Sequence, residues 1–326
     1  MTPQERSRAT ARAGVNIALV KYWGKRDAAA NLPAVGSLSM TLAELYTETT
    51  VRFDAGLDAD HFVLDGVPRD DARVFRLLDG IRALSGETRR AQVSSQNHVP
   101  TAAGLASSAS GTAALAVAAW GATGRSLKGI ERDPDFLALV RRGSGSAPRS
   151  LLPGLVELDR ETGAVEGIDP LTDWPLRMIV ARLGQGPKAV SSREGMARTA
   201  ATSPYFAAWV ASHPADLAAA RQAIALRDLQ RLGEVMERST CRMHACMLGA
   251  DPPLRYWRGR TLTVTDAVLD LRAQGIGAWY TMDAGPHVKV LCHADDAAAV
   301  IESLTAFVPP EDLIECRPGP GAHLVE

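Results

Sequence analysis

Cysteine is scarce in this chain, with four in 326 residues. The four positions show no framework of spacings, which suits a reducing cytoplasm rather than a disulfide-stapled fold. Two of them, Cys241 and Cys246, flank His244 in a predicted helix. Their spacing does not place all three side chains on one helix face, and no fourth ligand is near, so no dedicated metal site is predicted.

A long hydrophobic run and an excess of one charge are also absent. No stretch reaches about 18 apolar residues, so no membrane span is expected, and the polar start from Met1 to Gly14 predicts no signal peptide. The 36 basic and 37 acidic residues leave a net charge of −1. No overall field therefore favours nucleic acid or an acidic membrane, and a polyanionic ligand must be held by local cations.

The composition, with 46% hydrophobic and 22% charged residues, is typical of a soluble globular protein with one large or two ordinary domains. Apolar periodicity predicts a mixture of strands and helices. The elements used below are antiparallel strands over 38–54 and 61–67, a strand over 151–158, a helix over 214–226 and a β-β-α-β ending over 278–317. A Gly/Pro/Ser loop at 184–192 marks the predicted boundary between domains 1–183 and 184–326.

Residues 97–111, NHVPTAAGLASSASG, are the stretch around which the chain is organised. They follow a predicted strand, and their small residues around Gly104 let the backbone approach a ligand closely. A helix beginning near Ser107 would point free N–H groups at an anion, with Ser107 and Ser108 adding hydroxyls for phosphate or Mg²⁺. A helix cap before a buried Ala-rich helix explains the same letters. The GKS/GKT ending of a P-loop is absent.

Cations gather at the end of the strand predicted over 13–24. Lys21, Lys25 and Arg26 lie within six residues there, with Tyr22 and Trp23 between the two lysines. Aromatic rings interleaved with cations favour a pocket wall, although a solvated strand end is the alternative.

The segment RRGSGSAPRS supplies two serines around a glycine, Ser144 and Ser146, followed by Arg149. Hydroxyls and a guanidinium at this spacing suit an anion. A flexible Gly/Ser turn is the alternative. Further along, Asp283 follows the predicted strand AWYTM and precedes Ala-Gly-Pro, so a carboxylate is held on a tight turn. Such a carboxylate either caps the turn or is catalytic.

Taken together and in order, five segments resemble the diphosphomevalonate decarboxylase family of the GHMP kinase superfamily. They are NIALVKYWGKRD at 16–27, NHVPTAAGLASSASG at 97–111, GSGSAPRS at 143–150, VSSREGM at 190–196 and MDAGP at 282–286. The resemblance extends from about residue 11 to 293. The first two segments are highly specific to the family, whereas GLASS alone indicates only the superfamily.

The resemblance implies a two-domain α+β fold with the active site in the cleft between the domains, ATP and Mg²⁺ as requirements, and a cytoplasmic enzyme that is commonly a homodimer. The implied reaction converts mevalonate 5-diphosphate to isopentenyl diphosphate, CO₂, ADP and phosphate in isoprenoid biosynthesis. A decarboxylase of the 5-phosphate and a kinase of the superfamily that does not decarboxylate are the alternatives within this fold. A nucleotide-binding module without catalysis is the alternative from another class, disfavoured because Lys21, Arg149 and Asp283 are all present.

The resemblance also assigns roles to residues. Catalytic roles are implied for Asp283, Lys21 and Arg149. Substrate contacts are implied for Tyr22, Lys25, Ser144, Ser146, Arg149, Ser192 and Arg193. The ATP-phosphate loop contains Gly104, Leu105, Ala106, Ser107 and Ser108, of which either serine could contact Mg²⁺. The chain departs from the family pattern at Val35, Pro148, Pro153 and Leu158, and these departures concern substrate choice more than reaction type.

Overall fold

The computed structural model describes residues 7–98, 107–169, 173–184 and 189–325. The strands in these ranges are β1 (Arg8–Val20), β2 (Lys25–Asp27), β3 (Leu32–Pro33), β4 (Ser37–Asp54), β5 (His61–Leu64), β6 (Val67–Pro68), β7 (Arg90–His98), β8 (Leu155–Leu158), β9 (Val165–Asp169), β10 (Leu176–Ala181), β11 (Ala278–Met282), β12 (Val288–His293), β13 (Leu313–Cys316) and β14 (His323–Val325). The α-helices are α1 (Ala72–Ser85), α2 (Ser107–Ala122), α3 (Pro134–Gly143), α4 (Ser192–Thr202), α5 (Phe206–Ala225), α6 (Leu229–Leu248), α7 (Gly259–Ala273) and α8 (Ala297–Thr305).

The strands form two main sheets, which confirms the predicted α+β class. One sheet has eight strands in the order β14-β1-β4-β7-β5-β6, with β8 on the far end of β4 and β9 on β8. The other has the order β11-β12-β10-β13 and is antiparallel throughout. Strand β12 is therefore paired on both edges, and every one of its residues except His293 is buried.

One apolar core joins the two sheets. It combines buried residues of β1 and β4 with residues of β10, α5 and α6, including Ile17, Met40, Val180, Ala223 and Met236. A second core lies between α7, α8 and the outer face of the four-stranded sheet. Because α5 and α6 pack against both β1 and the second sheet, the end of β1 is held close to the strand that leads to Asp283.

Helix α2 lies against β1 and β4 and buries ten of its sixteen residues. Its alanines make this close approach possible, because a small side chain lets a helix backbone lie near a sheet. The Ser110 hydroxyl lies 2.8 Å from the Thr47 hydroxyl on β4, which fixes the first turn of the helix. The N-terminal serines Ser107 and Ser108 remain exposed.

Several predicted elements are confirmed, including the strand before the glycine loop, now β7, and the helix beginning at Ser107. The strand predicted over 151–158 is wrong in its first half. Ala147–Leu151 is a 3₁₀ turn, and the strand begins only at Leu155. Pro148 and Pro153 explain this, since proline has no N–H to donate to a sheet.

Two further predictions need correction. The helix predicted over 214–226 begins at Phe206, and Pro214 lies inside it, because buried Trp209 pins the earlier turns to the core. Strands β4 and β5 are not antiparallel partners. Strand β7 lies between them and pairs with β5 in parallel, as the α1 crossover between β6 and β7 allows.

The domain boundary between residues 183 and 184 stays a prediction. Strand β10 precedes it and belongs to the four-stranded sheet, whereas β14 follows it and pairs with β1 in the eight-stranded sheet. The chain therefore crosses between the two sheets once before the predicted boundary and once after it.

Candidate active site

A cavity of about 360 Å³ opens between the two sheets. The segments that meet there include the end of β1, the start of α2, the turn after α3, the start of α4 and the turn after β11. The sequence-predicted residues that line it are Tyr22, Lys25, Ser107, Ser108, Ser144, Ser146, Arg149, Ser192, Arg193 and Asp283. Lys21 lies directly behind Asp283. Gly104, Leu105 and Ala106 lie outside the described residues.

Asp283 carries the only carboxylate among the described residues that line this cavity. Its Oδ1 accepts a hydrogen bond from Lys21 Nζ at 2.7 Å, and its Oδ2 accepts one from Lys289 Nζ at 2.9 Å. The side chains of Lys21 and Lys289 are 1% and 2% exposed, whereas that of Asp283 is 30% exposed. The expectation that Asp283 lies against Lys21 is confirmed.

The turn at Asp283 does not use the carboxylate as its cap. The turn is closed by the Gly285 N–H, which donates to the Asp283 backbone carbonyl at 2.8 Å. Both side-chain oxygens are instead bonded to lysines. Of the two readings that the sequence left open, the arrangement favours a catalytic carboxylate.

Charge and burial set the ionisation of this cluster. Burial alone raises the pKa of Asp283, but the charges of Lys21 and Lys289 outweigh it and hold that pKa far below its usual range. Burial lowers the pKa of Lys21 to about 8, although Asp283 opposes the shift; repulsion from Lys289 adds to it. At neutral pH the carboxylate is ionised and Lys21 is a cation that gives up its proton unusually readily.

Arg149 supplies a fixed cation deeper in the cavity. Its side chain is 3% exposed, and its Nη1 donates to Ser37 Oγ at 2.6 Å. Burial lowers its pKa to about 10, which leaves it charged at neutral pH. Its Nε has no partner in the part of the chain that the structure describes, and neither has the Oδ1 of Asn16, another lining residue. Unpartnered polar atoms here indicate a site built for a polar ligand.

Gly145 allows Tyr22 to pack against the Ser144–Ser146 segment. A Cβ at Gly145 would lie 2.3 Å from Tyr22 Oη, so no larger residue fits without moving the ring. Burial raises the pKa of Tyr22 to about 12, so its hydroxyl stays protonated and can donate. That hydroxyl is buried and has no partner among the described residues. The pair of serines and Tyr22 therefore present hydroxyl groups to the same cavity.

Lys25 and Arg193 lie at the outer end of the cavity. Burial, together with the nearby charge of Arg193, lowers the pKa of Lys25. Arg193 is in the first turn of α4, whose N-cap Ser191 accepts from the Glu194 N–H. Both cations also line an adjoining space of about 600 Å³ with three more arginines, and its described lining contains no carboxylate. This end of the cavity suits a polyanion.

The N-terminus of α2 borders a third space of about 220 Å³ beneath β5 and β7. Ser107 and Ser108 line both this space and the main cavity, so a bound nucleotide here could direct its phosphates towards Asp283. Among the described residues there is no cluster of three or more acidic, His or Cys side chains that could hold a metal. Both oxygens of Asp283 are already bonded to lysines. Mg²⁺ would therefore depend on phosphate oxygens and the two serine hydroxyls, a ligand set that this hard cation accepts.

The two sheets with their shared cavity place the protein among enzymes of the GHMP kinase fold. Residues 13–168 match the diphosphomevalonate decarboxylase-like N-terminal domain, and residues 178–320 match the mevalonate 5-diphosphate decarboxylase C-terminal domain. Diphosphomevalonate decarboxylase mvd1 of Aspergillus fumigatus is 37% identical, covering 93% of this chain and 81% of its own. The human enzyme is 32% identical, covering 92% and 80%. This chain belongs to the diphosphomevalonate decarboxylase family.

Solved structures agree with this assignment. MDDEF in complex with MVAPP, AMPPCP and magnesium matches with a TM-score of 0.90 and 42% identity, covering 98% of this chain and 99% of its own. Mevalonate diphosphate decarboxylase from Staphylococcus aureus matches with a TM-score of 0.91 and 37% identity, covering 98% of each chain. Across the described ranges, no helix is long and apolar enough to cross a membrane.

The residues that sequence reasoning missed at this site include Asn16, Ser37, Arg73 and Lys289. A lysine between two valines in the predicted strand HVKVLCH was the one available indication for Lys289, because a charged residue at a buried position needs a partner. Ser37, by contrast, carried no local indication, since its link to Arg149 spans 112 residues.

Proposed function

We propose that this protein catalyses the ATP-dependent decarboxylation of mevalonate 5-diphosphate to isopentenyl diphosphate, CO₂, ADP and phosphate. The observation that carries the proposal is Asp283, a carboxylate held between two buried lysines at the wall of a cation-rich cavity. Family membership and the decarboxylases among its relatives support the same reaction. They do not favour a kinase or a decarboxylase of the 5-phosphate.

The cavity offers a separate place for each end of the substrate. The diphosphate suits the outer end, where Lys25 and Arg193 line the cavity, and the family resemblance adds a contact from Tyr22. The substrate carboxylate suits Arg149, with the hydroxyls of Ser144 and Ser146 beside it. This orientation directs the C3 hydroxyl, which lies between the two ends, towards Asp283.

Phosphoryl transfer needs an oriented nucleophile. A tertiary alcohol is hindered and weakly acidic, so the ionised Asp283 orients the C3 hydroxyl and takes its proton as the new O–P bond forms and the bond from the γ-phosphorus to ADP breaks. Because the pKa of Asp283 is held so low, Asp283 can take the hydroxyl proton only once bond formation to phosphorus has made the C3 hydroxyl more acidic. Lys21, which is bonded to Asp283 from behind the cavity wall, adds positive charge close to the transferred group.

Decarboxylation follows from the phosphorylated intermediate. The C3–O bond breaks with its electron pair leaving on phosphate, so positive charge develops at C3. The bond between C2 and the carboxylate carbon then supplies the electron pair of the new alkene, and CO₂ departs. Arg149, which is fixed by Ser37, holds the carboxylate in place until that step.

ATP is the phosphoryl donor in this proposal. Its phosphates suit the N-terminus of α2, where Ser107 and Ser108 can also contact Mg²⁺. When bound, Mg²⁺ supplies neutralisation of the β- and γ-phosphate charge. Of the ATP-phosphate loop that the resemblance implies, Gly104, Leu105 and Ala106 lie outside the described residues.

The proposal extends to a homodimeric enzyme of the cytoplasm. The family resemblance supports both statements, and the four free cysteines suit a reducing compartment. Sedimentation equilibrium of the purified protein tests the dimer: a mass of one chain at micromolar concentration would reject it.

A coupled assay tests the reaction itself. Mevalonate, its 5-phosphate and its 5-diphosphate are each incubated with ATP, Mg²⁺ and enzyme, and ADP and CO₂ are read together. The proposal expects equal amounts of both products from the 5-diphosphate. ADP without CO₂ would identify a kinase, and turnover of the 5-phosphate alone would identify the other decarboxylase.

A further inference from the structure

Lys289 occupies one of the two central strands of the smaller sheet. It lies on β12, directly opposite Val180 of β10 and Thr281 of β11. Its side chain is 2% exposed. Burying an ammonium group costs several kcal/mol unless a partner compensates. The partner is Asp283, which already accepts a hydrogen bond from Lys21. The presence of a second buried lysine therefore requires an explanation.

The two lysines divide the carboxylate between them. Lys21 bonds Oδ1, Lys289 bonds Oδ2, and neither lysine lines the cavity that Asp283 faces. A carboxylate bonded through one oxygen can swing about its Cα–Cβ and Cβ–Cγ bonds, whereas one bonded through both is fixed in its plane. The remaining lone pairs of Asp283 are then the part of the group that is left to meet a ligand.

We propose that Lys289 is a positioning residue for phosphoryl transfer, which holds the Asp283 carboxylate in one orientation and adds the second positive charge behind it. The proposal rests on the function proposed above. With Lys21 alone the charges at Asp283 would cancel, whereas the two lysines and one carboxylate sum to +1. A net positive cluster lets a carboxylate stand beside an incoming polyanion without repelling it.

The other charged and titratable groups around the cluster do not replace Lys289. Arg149 faces Lys21 and Asp283 from the 3₁₀ turn, but it is bonded to Ser37. His244 faces the cluster from α6, and burial, with repulsion from the lysines, lowers its pKa to about 3. His244 is therefore neutral during turnover, and the second charge on Asp283 comes from Lys289.

Two substitutions separate charge from hydrogen bonding. Lys289→Met keeps most of the length of the side chain and removes both, while Lys289→Gln removes the charge and keeps an N–H donor that is one bond shorter than the lysine. We expect kcat to fall about 10- to 100-fold in Lys289→Met, with KM for ATP and mevalonate 5-diphosphate within about threefold, as for a group that acts on the transition state. The acid limb of kcat should move to higher pH in both variants, because losing a nearby cation raises the pKa of Asp283.

Thr281→Val is the matched control. Thr281 is fully buried opposite Lys289, and its hydroxyl is bonded to Thr240 at 2.9 Å, so the substitution disturbs the same sheet without changing charge. It should lower the thermal midpoint and leave the acid limb in place. An acid limb that moves equally in the control and in Lys289→Met would assign the effect to the sheet and overturn the proposal.

A double substitution gives a readout that does not depend on activity. Asp283→Asn leaves two buried cations facing each other, so adding Lys289→Met should raise the thermal midpoint of Asp283→Asn. In the Asp283→Asn background, Lys289→Met should also cost no further turnover, since Lys289 acts through Asp283.

The coupled assay of ADP and CO₂ with the wild-type enzyme tests the proposed reaction separately. The comparison of thermal midpoints remains valid even if the wild type does not catalyse that reaction. A Lys289→Met protein with wild-type kcat and pH profile would overturn the positioning role. So would failure of both Lys289 variants to fold, which would assign the lysine to the sheet.

Discussion

Asp283→Asn is the substitution on which the proposed mechanism depends most directly. It keeps the shape of the side chain and removes the charge that orients the C3 hydroxyl. Loss of a positioned acid–base group costs about 10²- to 10⁴-fold in rate, which corresponds to about 3–5 kcal/mol of activation free energy. We therefore expect kcat to fall in that range, with ADP and CO₂ lost together because decarboxylation waits on the phosphorylated intermediate.

The structure also predicts a stability cost. An amide has one oxygen, so it can accept from Lys21 or from Lys289 but not from both in the observed geometry. Removing one partner of a buried ion pair costs about 3–5 kcal/mol, and the partial exposure of Asp283 places this case at the lower end. Thermal denaturation should show the decrease, while calorimetric titration should give nearly unchanged affinity for ATP and substrate.

Asp159→Asn is the control for this experiment. Asp159 is a true turn-capping aspartate, since its Oδ1 accepts from the backbone N–H groups of Glu161 and Thr162. Asparagine can still cap a turn, so this variant should turn over like the wild type. If folded Asp283→Asn behaved in the same way, with wild-type kcat, the catalytic assignment would be refuted.

Three further predictions follow from the cavity. Arg193→Ala should raise KM for the 5-diphosphate about 10- to 100-fold with a modest loss of kcat, because it removes a charged contact that is present both before and during the reaction. An unchanged KM in steady-state kinetics would show that Arg193 does not bind the substrate as assigned. Gly145→Ala should raise the same KM about tenfold, because the added Cβ would lie 2.3 Å from Tyr22 Oη and must displace the tyrosine side chain. Wild-type kinetics in this variant would show that the tyrosine ring can move without cost to binding. Turnover of the wild type should fall as pH rises through about 8, since Lys21 is charged below its pKa and loses that charge above it. A rate that stays constant to about pH 9.5 would contradict the role of Lys21 as a cation.

Much of this site could be predicted from the sequence because its pieces are local. The serine-rich start of α2, the Ser144–Ser146 segment and the acid on its turn are each recognisable within about ten residues. Their chemistry depends on residue type and on backbone conformation that neighbours determine, such as the exposed N–H groups of a helix N-terminus. The order of these motifs along the chain was enough to indicate the family.

Only the tertiary structure decided how the pieces meet. Lys21 and Asp283 are 262 residues apart, and they touch because one core packs β1 and the four-stranded sheet against α5 and α6. The second lysine on Asp283 depends on the pairing of β12 with β11, and the fixing of Arg149 depends on Ser37 at the start of β4. Strand pairing and burial couple residues that are distant along the chain, so no local pattern contains them. The sequence by itself determined which functional groups are present, and packing determined which carboxylate oxygen each lysine holds.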